Sequence, residues 1–157
     1  MITIRRAEAQ DMDRICALND VVQRLHADHR PDLYRWPAEP EGRRALLEKA
    51  RVEAAWRLLV ADEAGGVVGY LATELIDKPA HALRVAHTEG HIHHISVDAG
   101  CRERGVGRAL VAAGVAELRG QQADRITVGY WAFNTPSRGL FAASGFQPAT
   151  VTAELVG

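Results

Sequence analysis

The sequence lacks the features that define several large classes of protein. Only two of its 157 residues are cysteines, Cys16 and Cys101, and they lie far apart with neither CxxC nor CxxH spacing. A disulfide framework or a structural zinc site is therefore not expected. No apolar run approaches the ~20 residues that a membrane-spanning helix needs. The first residues, MITIRRAEA, carry charge where a signal peptide has an apolar core, so we expect a cytoplasmic protein without a membrane partner.

The chain also lacks an excess of charge of either sign. Nineteen Lys and Arg residues face twenty Asp and Glu residues, which gives a net charge of −1. Nucleic-acid-binding domains carry a clustered basic surplus, and the basic segment at residues 42–51 interleaves Glu48 with its cations, as a solvated helix face does. We therefore expect no nucleic-acid partner. Hydrophobic residues make up 47% of the chain, which is ordinary for a globular protein.

The hydrophobic pattern predicts one mixed α/β domain over residues 1–157, in the order β-α-α-β-β-β-α-β-α-β. Helices are predicted at 9–29, around 45–50, at 105–120 and at 136–144. Strands are predicted at 2–7, 56–61, 67–76, 91–97, 125–134 and 146–155. Gly114 lies inside the third helix, where glycine costs about 1 kcal/mol relative to alanine. Close packing of that helix against the sheet would offset this cost.

A glycine pair stands between a predicted strand and a predicted helix, in CRERGVGRAL at residues 101–110. A helix N-terminus presents unpaired backbone N–H groups and about half a positive charge, which together attract phosphate. Gly105 and Gly107 allow close approach of an anion, and three arginines add charge: Arg102, Arg104 and Arg108. Neither the Walker A lysine nor the third glycine of a dinucleotide fingerprint is present. The spacing predicts a phosphate-binding loop; the alternative is a glycine-bearing helix start with solvent-exposed arginines.

The same loop, RERGVG at residues 102–107, resembles the R/Q-x-x-G-x-G/A acetyl-CoA signature of the GNAT superfamily of N-acetyltransferases. Residues 131–146, WAFNTPSRGLFAASGF, are similar to the second motif of that family, in which an asparagine precedes a helix and a Gly-Phe pair. The order of elements fits as well, so the resemblance covers essentially the whole chain. It implies a single-domain GNAT fold: a mixed, mostly antiparallel central sheet flanked by helices, with splayed strands at a cofactor cleft.

The resemblance implies an N-acetyltransferase that takes its acetyl group from acetyl-CoA and uses no metal. In the family the glycine loop binds the pyrophosphate and the preceding strand pairs with pantetheine. The N–H of Ile95 is expected to polarise the acetyl carbonyl, and Asn134 either contacts the cofactor arm or caps the next helix. The expected cofactor-binding residues are Ile95, Ser96, Val97, Arg102, Arg104, Gly105, Val106, Gly107, Arg108, Asn134, Ser137 and Phe141.

Three histidines precede the loop in the predicted strand: His91, His93 and His94. Side chains alternate along a strand, so His91 and His93 should share one face and His94 should take the other. A catalytic metal needs three protein ligands, and we expect none here. Imidazole, with an unperturbed pKa of about 6.5, suits removal of a proton from an amine. We predict His93, and next His91, as the general base. A bulge would exchange the faces, and the alternative is that the histidines only line a wet cleft.

Many GNAT enzymes carry a tyrosine in the last helix that protonates the leaving thiolate, and the corresponding residue here is Phe141. A phenyl ring cannot donate a proton, so Tyr130 becomes the nearest candidate acid, ahead of Ser137 and Ser144; Phe141 is expected to pack beside the thioester. The same departure motivates an alternative function, a weak or inactive acyl-CoA-binding or sensory domain with the same fold.

The acceptor is expected to be a small-molecule or peptide amine. The resemblance locates its pocket at the loop between the first two helices, residues 25–41, where Tyr34 and Trp36 could cover the amine. Four carboxylates there either attract it or are ordinary surface charge: Asp28, Asp32, Glu39 and Glu41. A homodimer remains open, and the end of the chain, ATVTAELVG, reads as an apolar edge strand that would benefit from cover.

Overall fold

A computed structural model describes all 157 residues, Met1–Gly157. Five strands form one sheet in the order β1-β2-β3-β4-β5, in which only the β4–β5 pair is parallel. The strands are β1 (Ile2–Arg6), β2 (Trp56–Glu63), β3 (Gly66–Lys78), β4 (His87–Val97) and β5 (Arg125–Val128). The helices are α1 (Met12–His29), α2 (Pro40–Val52), α3 (Val106–Gly120) and α4 (Thr135–Ala143). The predicted fold class, a mixed and mostly antiparallel sheet flanked by helices, is confirmed.

Two apolar clusters cover the two faces of the sheet, because alternate side chains of a strand point to opposite sides. Leu58 and Val60 of β2 pack against α1 and α2. Leu59 and Ala61 of the same strand pack instead in a cluster with α3 and α4. The sheet is thus buried on both sides, and its middle strands are held between two layers of helix.

The start of α2 shows how local chemistry sets an element boundary. Its first residue is Pro40, whose missing N–H is no loss at that position. The Glu39 carboxylate accepts the N–H groups of Glu41 (3.0 Å) and Gly42 (2.6 Å). These bonds satisfy two of the free donors of the helix. Helix α2 therefore begins earlier than predicted, at Pro40, inside the segment 25–41 that was predicted to connect the first two helices.

Helix α3 lies close to β3 at Gly114. A Cβ atom at this position would lie 2.6 Å from Leu71 Cδ2 and 3.4 Å from Thr73 Cγ2. Only glycine allows α3 to come this close to β3, and the close approach brings the helix into contact with the buried Leu71. The close packing that was predicted to offset the cost of a glycine within α3 is therefore present.

Two predicted strands differ from the structure. β5 ends at Val128 and not at residue 134, and no strand forms at 146–155. Residues 147–157 make no backbone hydrogen bond, and Val151, Leu155 and Val156 are exposed. The alternation of this segment is strand-like, but the segment pairs with no strand of the chain. None of the helices combines the length and the apolar character needed to cross a membrane.

Candidate active site

A cleft of about 2770 Å³ opens where β4 and β5 separate. The parallel pairing of the two strands ends with Ile92 opposite Val128. Beyond that point β4 continues to Val97, and its outer edge has no neighbouring strand. The cleft is walled by α1, the α1–α2 loop, the start of α3 and the β5–α4 loop. The separation of the strands thus exposes an unpaired strand edge inside a large cleft.

The backbone of β4 presents hydrogen-bonding groups to this gap. The N–H of Asp98 donates to the Val68 carbonyl of β3 at 2.8 Å. Because backbone groups in an antiparallel ladder alternate in direction, Ile95 and Val97 direct their N–H and C=O groups away from β3 and into the cleft. The Ser96 side chain is buried against α1, where its hydroxyl donates to the Leu18 carbonyl at 2.8 Å. Its hydroxyl therefore joins β4 to α1.

The glycine loop begins α3 and has the form of an anion cradle. Gly105 takes φ +83° as the N-cap residue, a conformation that favours glycine. The N–H groups of Gly105, Val106, Gly107 and Arg108 have no acceptor within the chain. Four successive free donors at the positive end of a helix are suited to a phosphate group.

The three arginines of the loop do not share one role. Arg102 and Arg108 line the cleft. The Arg104 guanidinium instead contacts Glu63 Oε2 at 3.1 Å, outside the cleft, and this contact lowers the pKa of the Glu63 carboxyl. Arg104 is the one predicted loop residue that does not line the cleft.

The start of α4 lies across the cleft from β4. The side chain of Asn134 accepts the Ser137 N–H at 3.2 Å, so it caps α4, one of the two predicted roles. Phe141 is buried and stacks on Tyr130, with ring centroids 5.9 Å apart and planes inclined by 6°. Tyr130 itself is exposed in the cleft. A phenol thus lies beside the position at which many GNAT enzymes carry a tyrosine.

A β-bulge in β4 places all three histidines on one face of the sheet. Ala72 pairs with His94 and Thr73 with Ile92, so His93 is the extra residue. The prediction that His94 faces the other side is wrong, because the bulge interrupts strand alternation at this point. The imidazole of His93 lies 4.7 Å from that of His91 and 6.4 Å from that of His94, centroid to centroid. No group of three or more His, Cys, Asp or Glu side chains is arranged to hold a metal ion.

His91 is bound to the neighbouring strand and does not line the cleft. Its Nδ1 lies 2.7 Å from the Thr127 hydroxyl, which donates to Glu89 at 2.8 Å. Because that hydroxyl has one hydrogen, His91 Nδ1 is the donor in their bond. Burial, followed by the charge of His93, lowers the pKa of His91.

His93 lies in the cleft and is held on two sides. Its Nε2 is 2.8 Å from Glu74 Oε2, and its ring stacks on Trp56 with centroids 4.4 Å apart. With Nε2–H donating to the carboxylate, Nδ1 keeps a lone pair that no group of the chain occupies. This orientation matches what a proton acceptor requires.

His94 is the cleft residue that strand alternation missed. Solvent reaches it through the cleft, yet protein surrounds it on several sides. Burial, and then the charges of His93 and His26, lower the pKa of His94 to about 4. His94 is therefore neutral near pH 7 and is a weaker proton acceptor than an ordinary imidazole.

The sequence model of the acetyltransferase (GNAT) family matches residues 18–146. The match includes β4, the glycine loop and α4, the elements that form the cleft. This chain belongs to the GNAT acetyltransferase family.

Curated relatives of this GNAT chain carry the name mycothiol acetyltransferase. The protein from Salinispora tropica is 33% identical over 137 residues, which are 87% of this chain and 41% of that protein. The protein from Thermobispora bispora is 32% identical over 146 residues, 90% of this chain and 45% of that protein. The chain thus spans less than half the length of these relatives.

Solved structures share the GNAT fold at lower identity. A mutant of the BH1408 protein from Bacillus halodurans superposes with a TM-score of 0.90 at 23% identity, with 98% of each chain covered. The aminoglycoside acetyltransferase AAC(6')-Iy, in complex with a CoA-based bisubstrate analogue, gives 0.78 at 16% identity, covering 100% of this chain and 98% of that one. A predicted acetyltransferase from Clostridium acetobutylicum, with acetyl-CoA, gives 0.74 at 15% identity, covering 99% and 96%.

The far end of the cleft in this GNAT chain carries an aromatic wall made of Tyr34, Trp131 and Phe133. The Trp131 indole N–H donates to the Tyr34 hydroxyl at 2.7 Å, and the rings of Trp131 and Phe133 stack at 5.8 Å. Arg30 lies 5.0 Å from the Trp131 ring centroid. The wall joins the α1–α2 loop to the β5–α4 loop.

Four carboxylates of residues 25–41 were candidates for attracting an amine. In the structure, each of them either has a partner within the chain or lies outside the cleft. Asp32 pairs with Arg30 at 2.6 Å, and Asp28 lies 3.8 Å from Arg24. Glu39 caps α2, and Glu41 does not line the cleft. Trp36 also lies outside the cleft, where Arg24 stands 5.5 Å from its ring centroid.

Proposed function

We propose that residues 1–157 form a single N-acetyltransferase domain that transfers an acetyl group from acetyl-CoA to a primary amine. The observation that carries the proposal is the continuity of the cleft. It runs from four free N–H groups at the start of α3, along the unpaired edge of β4, to His93. These groups match the three parts of the donor: pyrophosphate, pantetheine and thioester.

The residues that would hold acetyl-CoA follow from this path. The N–H groups of residues 105–108 bind the pyrophosphate, and Arg102 and Arg108 add charge. The backbone of Ile95 and Val97 pairs with the pantetheine as an added strand would, and the N–H of Ile95 polarises the acetyl carbonyl. Phe141 packs beside the thioester. Ser96, Ser137, Asn134 and Arg104 support these elements through the contacts of their side chains and backbone.

The transfer is direct. The neutral amine nitrogen forms a bond to the acetyl carbon as the carbon–sulfur bond breaks, and the nitrogen loses a proton. We assign that proton to His93 Nδ1, which is supported by the bond between Nε2 and Glu74. His91 is a less suitable base, since its ring is bound to Thr127 and does not line the cleft.

The thiolate leaves with a proton from a second group. We assign this role to Tyr130, which is supported by its exposure in the cleft and its stacking on Phe141. The alternative function is an acyl-CoA-binding domain without turnover, favoured by the loss of the usual tyrosine at Phe141. The two functions differ in whether coenzyme A is released when an amine is present.

The test is thiol release from acetyl-CoA with a panel of amines, alongside calorimetric titration with coenzyme A. The panel includes the acceptor of the mycothiol acetyltransferases and an aminoglycoside, because relatives and structural neighbours carry those names. We expect coenzyme A to bind and one amine class to release thiol, with loss of that release in Tyr130→Phe. Binding without release on any amine favours the alternative, and no binding contradicts both.

A further inference from the structure

At the acceptor end of the cleft, every carboxylate that lines it has a partner within the chain. Three acidic side chains line it, Asp28, Glu39 and Glu154. Asp28 lies 3.8 Å from Arg24, and Glu154 accepts two bonds from Arg30, at 2.7 and 2.9 Å. Glu39 is bound to the N-terminus of α2. Each carboxylate that could attract a cationic acceptor therefore already has a partner within the chain.

Cations outnumber these carboxylates on the same walls. Five basic residues line the α1 and α2 side of the cleft: Arg24, Arg30, Arg35, Arg43 and Lys49. All of them except Arg35 are paired with a carboxylate of the chain. Beside His93 the nearest carboxylate is Glu74, and it is bound to the imidazole. An acceptor with several ammonium groups would find no unpaired carboxylate on this surface, and Arg35 would repel it.

The aromatic wall offers a different kind of contact. Tyr34, Trp131 and Phe133 are half-buried and line the cleft. The polar atoms of Tyr34 and Trp131 bond to each other, so the pair meets a ligand mainly with carbon. His29 already stacks on Phe133, with ring centroids 4.2 Å apart, and Arg30 stands 5.0 Å from the Trp131 ring centroid. A flat apolar group would therefore pack on the ring surface that these side chains leave uncovered.

We infer that the acceptor carries a single primary amine on an otherwise uncharged body with a flat apolar face that lies against the aromatic wall. This inference rests on the proposed acetyl transfer and names its acceptor class. An aromatic ring and the C–H face of a sugar ring share this chemistry. Polyamines and aminoglycosides lie outside it because of their multiple charges.

The test compares kcat/KM for phenethylamine, methyl glucosaminide, propylamine, spermidine and neamine. We expect one or both flat-faced monoamines to exceed spermidine and neamine at least tenfold, and the preference between these two tells whether the body is an aromatic or a sugar ring. Trp131→Ala should lower kcat/KM of the preferred monoamine tenfold or more and that of propylamine less than twofold. Trp36→Ala is the matched control, a tryptophan outside the cleft, and should change none of them. Equal or better use of a polycation overturns the inference, and so does an equal loss on propylamine.

A binding measurement separates this inference from the proposed function. The amines are titrated by calorimetry into protein saturated with coenzyme A, with the affinity for coenzyme A as the check that Trp131→Ala is folded. Tighter binding of a flat-faced monoamine than of spermidine, lost in Trp131→Ala, supports the acceptor class even where no acetyl group is transferred. Equal affinities overturn it. Phe133→Ala is the second variant should Trp131→Ala fail to fold, with the same expected losses.

Discussion

At the scale of single residues, the site depends on how each imidazole is held rather than on the number of histidines. His91, His93 and His94 lie within one short stretch of β4, yet each has a different partner. His91 is bound to Thr127, His93 to Glu74, and His94 faces the open cleft without a hydrogen bond. The sequence supplied the three candidates, but their partners lie 19 and 36 positions away along the chain. No local pattern could reveal those contacts.

The first prediction separates the two candidate bases. His93→Ala should lower kcat about 100-fold or more, the usual contribution of a positioned general base. His91→Ala is the matched control and should leave kcat within a small factor of wild type. Glu74→Gln should lower kcat less than His93→Ala while leaving KM for acetyl-CoA unchanged, because it acts through His93. Steady-state kinetics across pH give the readout, and equal losses in both histidine variants would contradict the assignment.

The second prediction concerns His94 and acid stability. Its pKa is lowered to about 4 in the folded protein by burial and by His93 and His26, whereas a free imidazole has a pKa of about 6.5. Between these values the unfolded chain takes up a proton that the folded chain does not, so stability falls as pH falls from 6.5 towards 4. His94→Gln should reduce that loss.

Urea unfolding at pH 7 and pH 5 measures the effect. The difference between the two free energies should be smaller in His94→Gln than in wild type, while His81→Gln, at an exposed position outside the cleft, serves as control. An unchanged difference in His94→Gln would show that the cleft does not disfavour the charged imidazole.

At the scale of elements, hydrophobic periodicity predicted most of the helices and strands. It failed where an element depends on the strand with which it pairs. The helices and the β2–β3 hairpin have strong apolar periods, and the structure contains them. The bulge at His93 has no counterpart in the hydrophobic pattern, because it arises from the register of β4 against Ala72 and Thr73 of β3. A single inserted residue turned His94 towards the site, and alternation alone could not have shown it.

Packing of α3 against β3 yields the third prediction. Gly114→Ala adds a Cβ 2.6 Å from Leu71 Cδ2, and overpacking of this kind costs about 1–3 kcal/mol, more than the gain of up to ~1 kcal/mol in helix propensity. The free energy of unfolding should therefore fall. Gly139→Ala in α4, where nothing lies within 4 Å of the added Cβ, should raise it. Urea titration measures both, and a stabilised Gly114→Ala would mean that α3 can move away from the sheet.

At the scale of the whole molecule, the end of the chain shows the limit of local pattern. Residues 146–155 alternate as a strand does, but a strand forms only against a partner edge. β5 has four residues, and the segment instead passes the cleft, with Glu154 bound to Arg30 of the α1–α2 connection. Conversely, the motif from Arg102 to Gly107 could be recognised in the sequence because its function depends on a few adjacent residues. The cleft as a whole draws on segments from α1 to the C-terminal residues.

The fourth prediction follows from that construction. A ligand in a cleft built by both halves of the chain stabilises the entire fold, by about 2.7 kcal/mol when its concentration is 100 times Kd. For a chain of this size the melting temperature should rise roughly 5–10 °C. Coenzyme A should produce this shift, and pantetheine, which lacks the pyrophosphate, should produce a smaller one. Gly107→Trp should remove the shift, because its side chain fills the approach to the free N–H groups, where Leu140 already stands 3.3 Å from an added Cβ. Gly120→Trp, at the other end of α3 with open space around it, should keep the shift. A full shift in Gly107→Trp would contradict the assignment of the pyrophosphate to this loop.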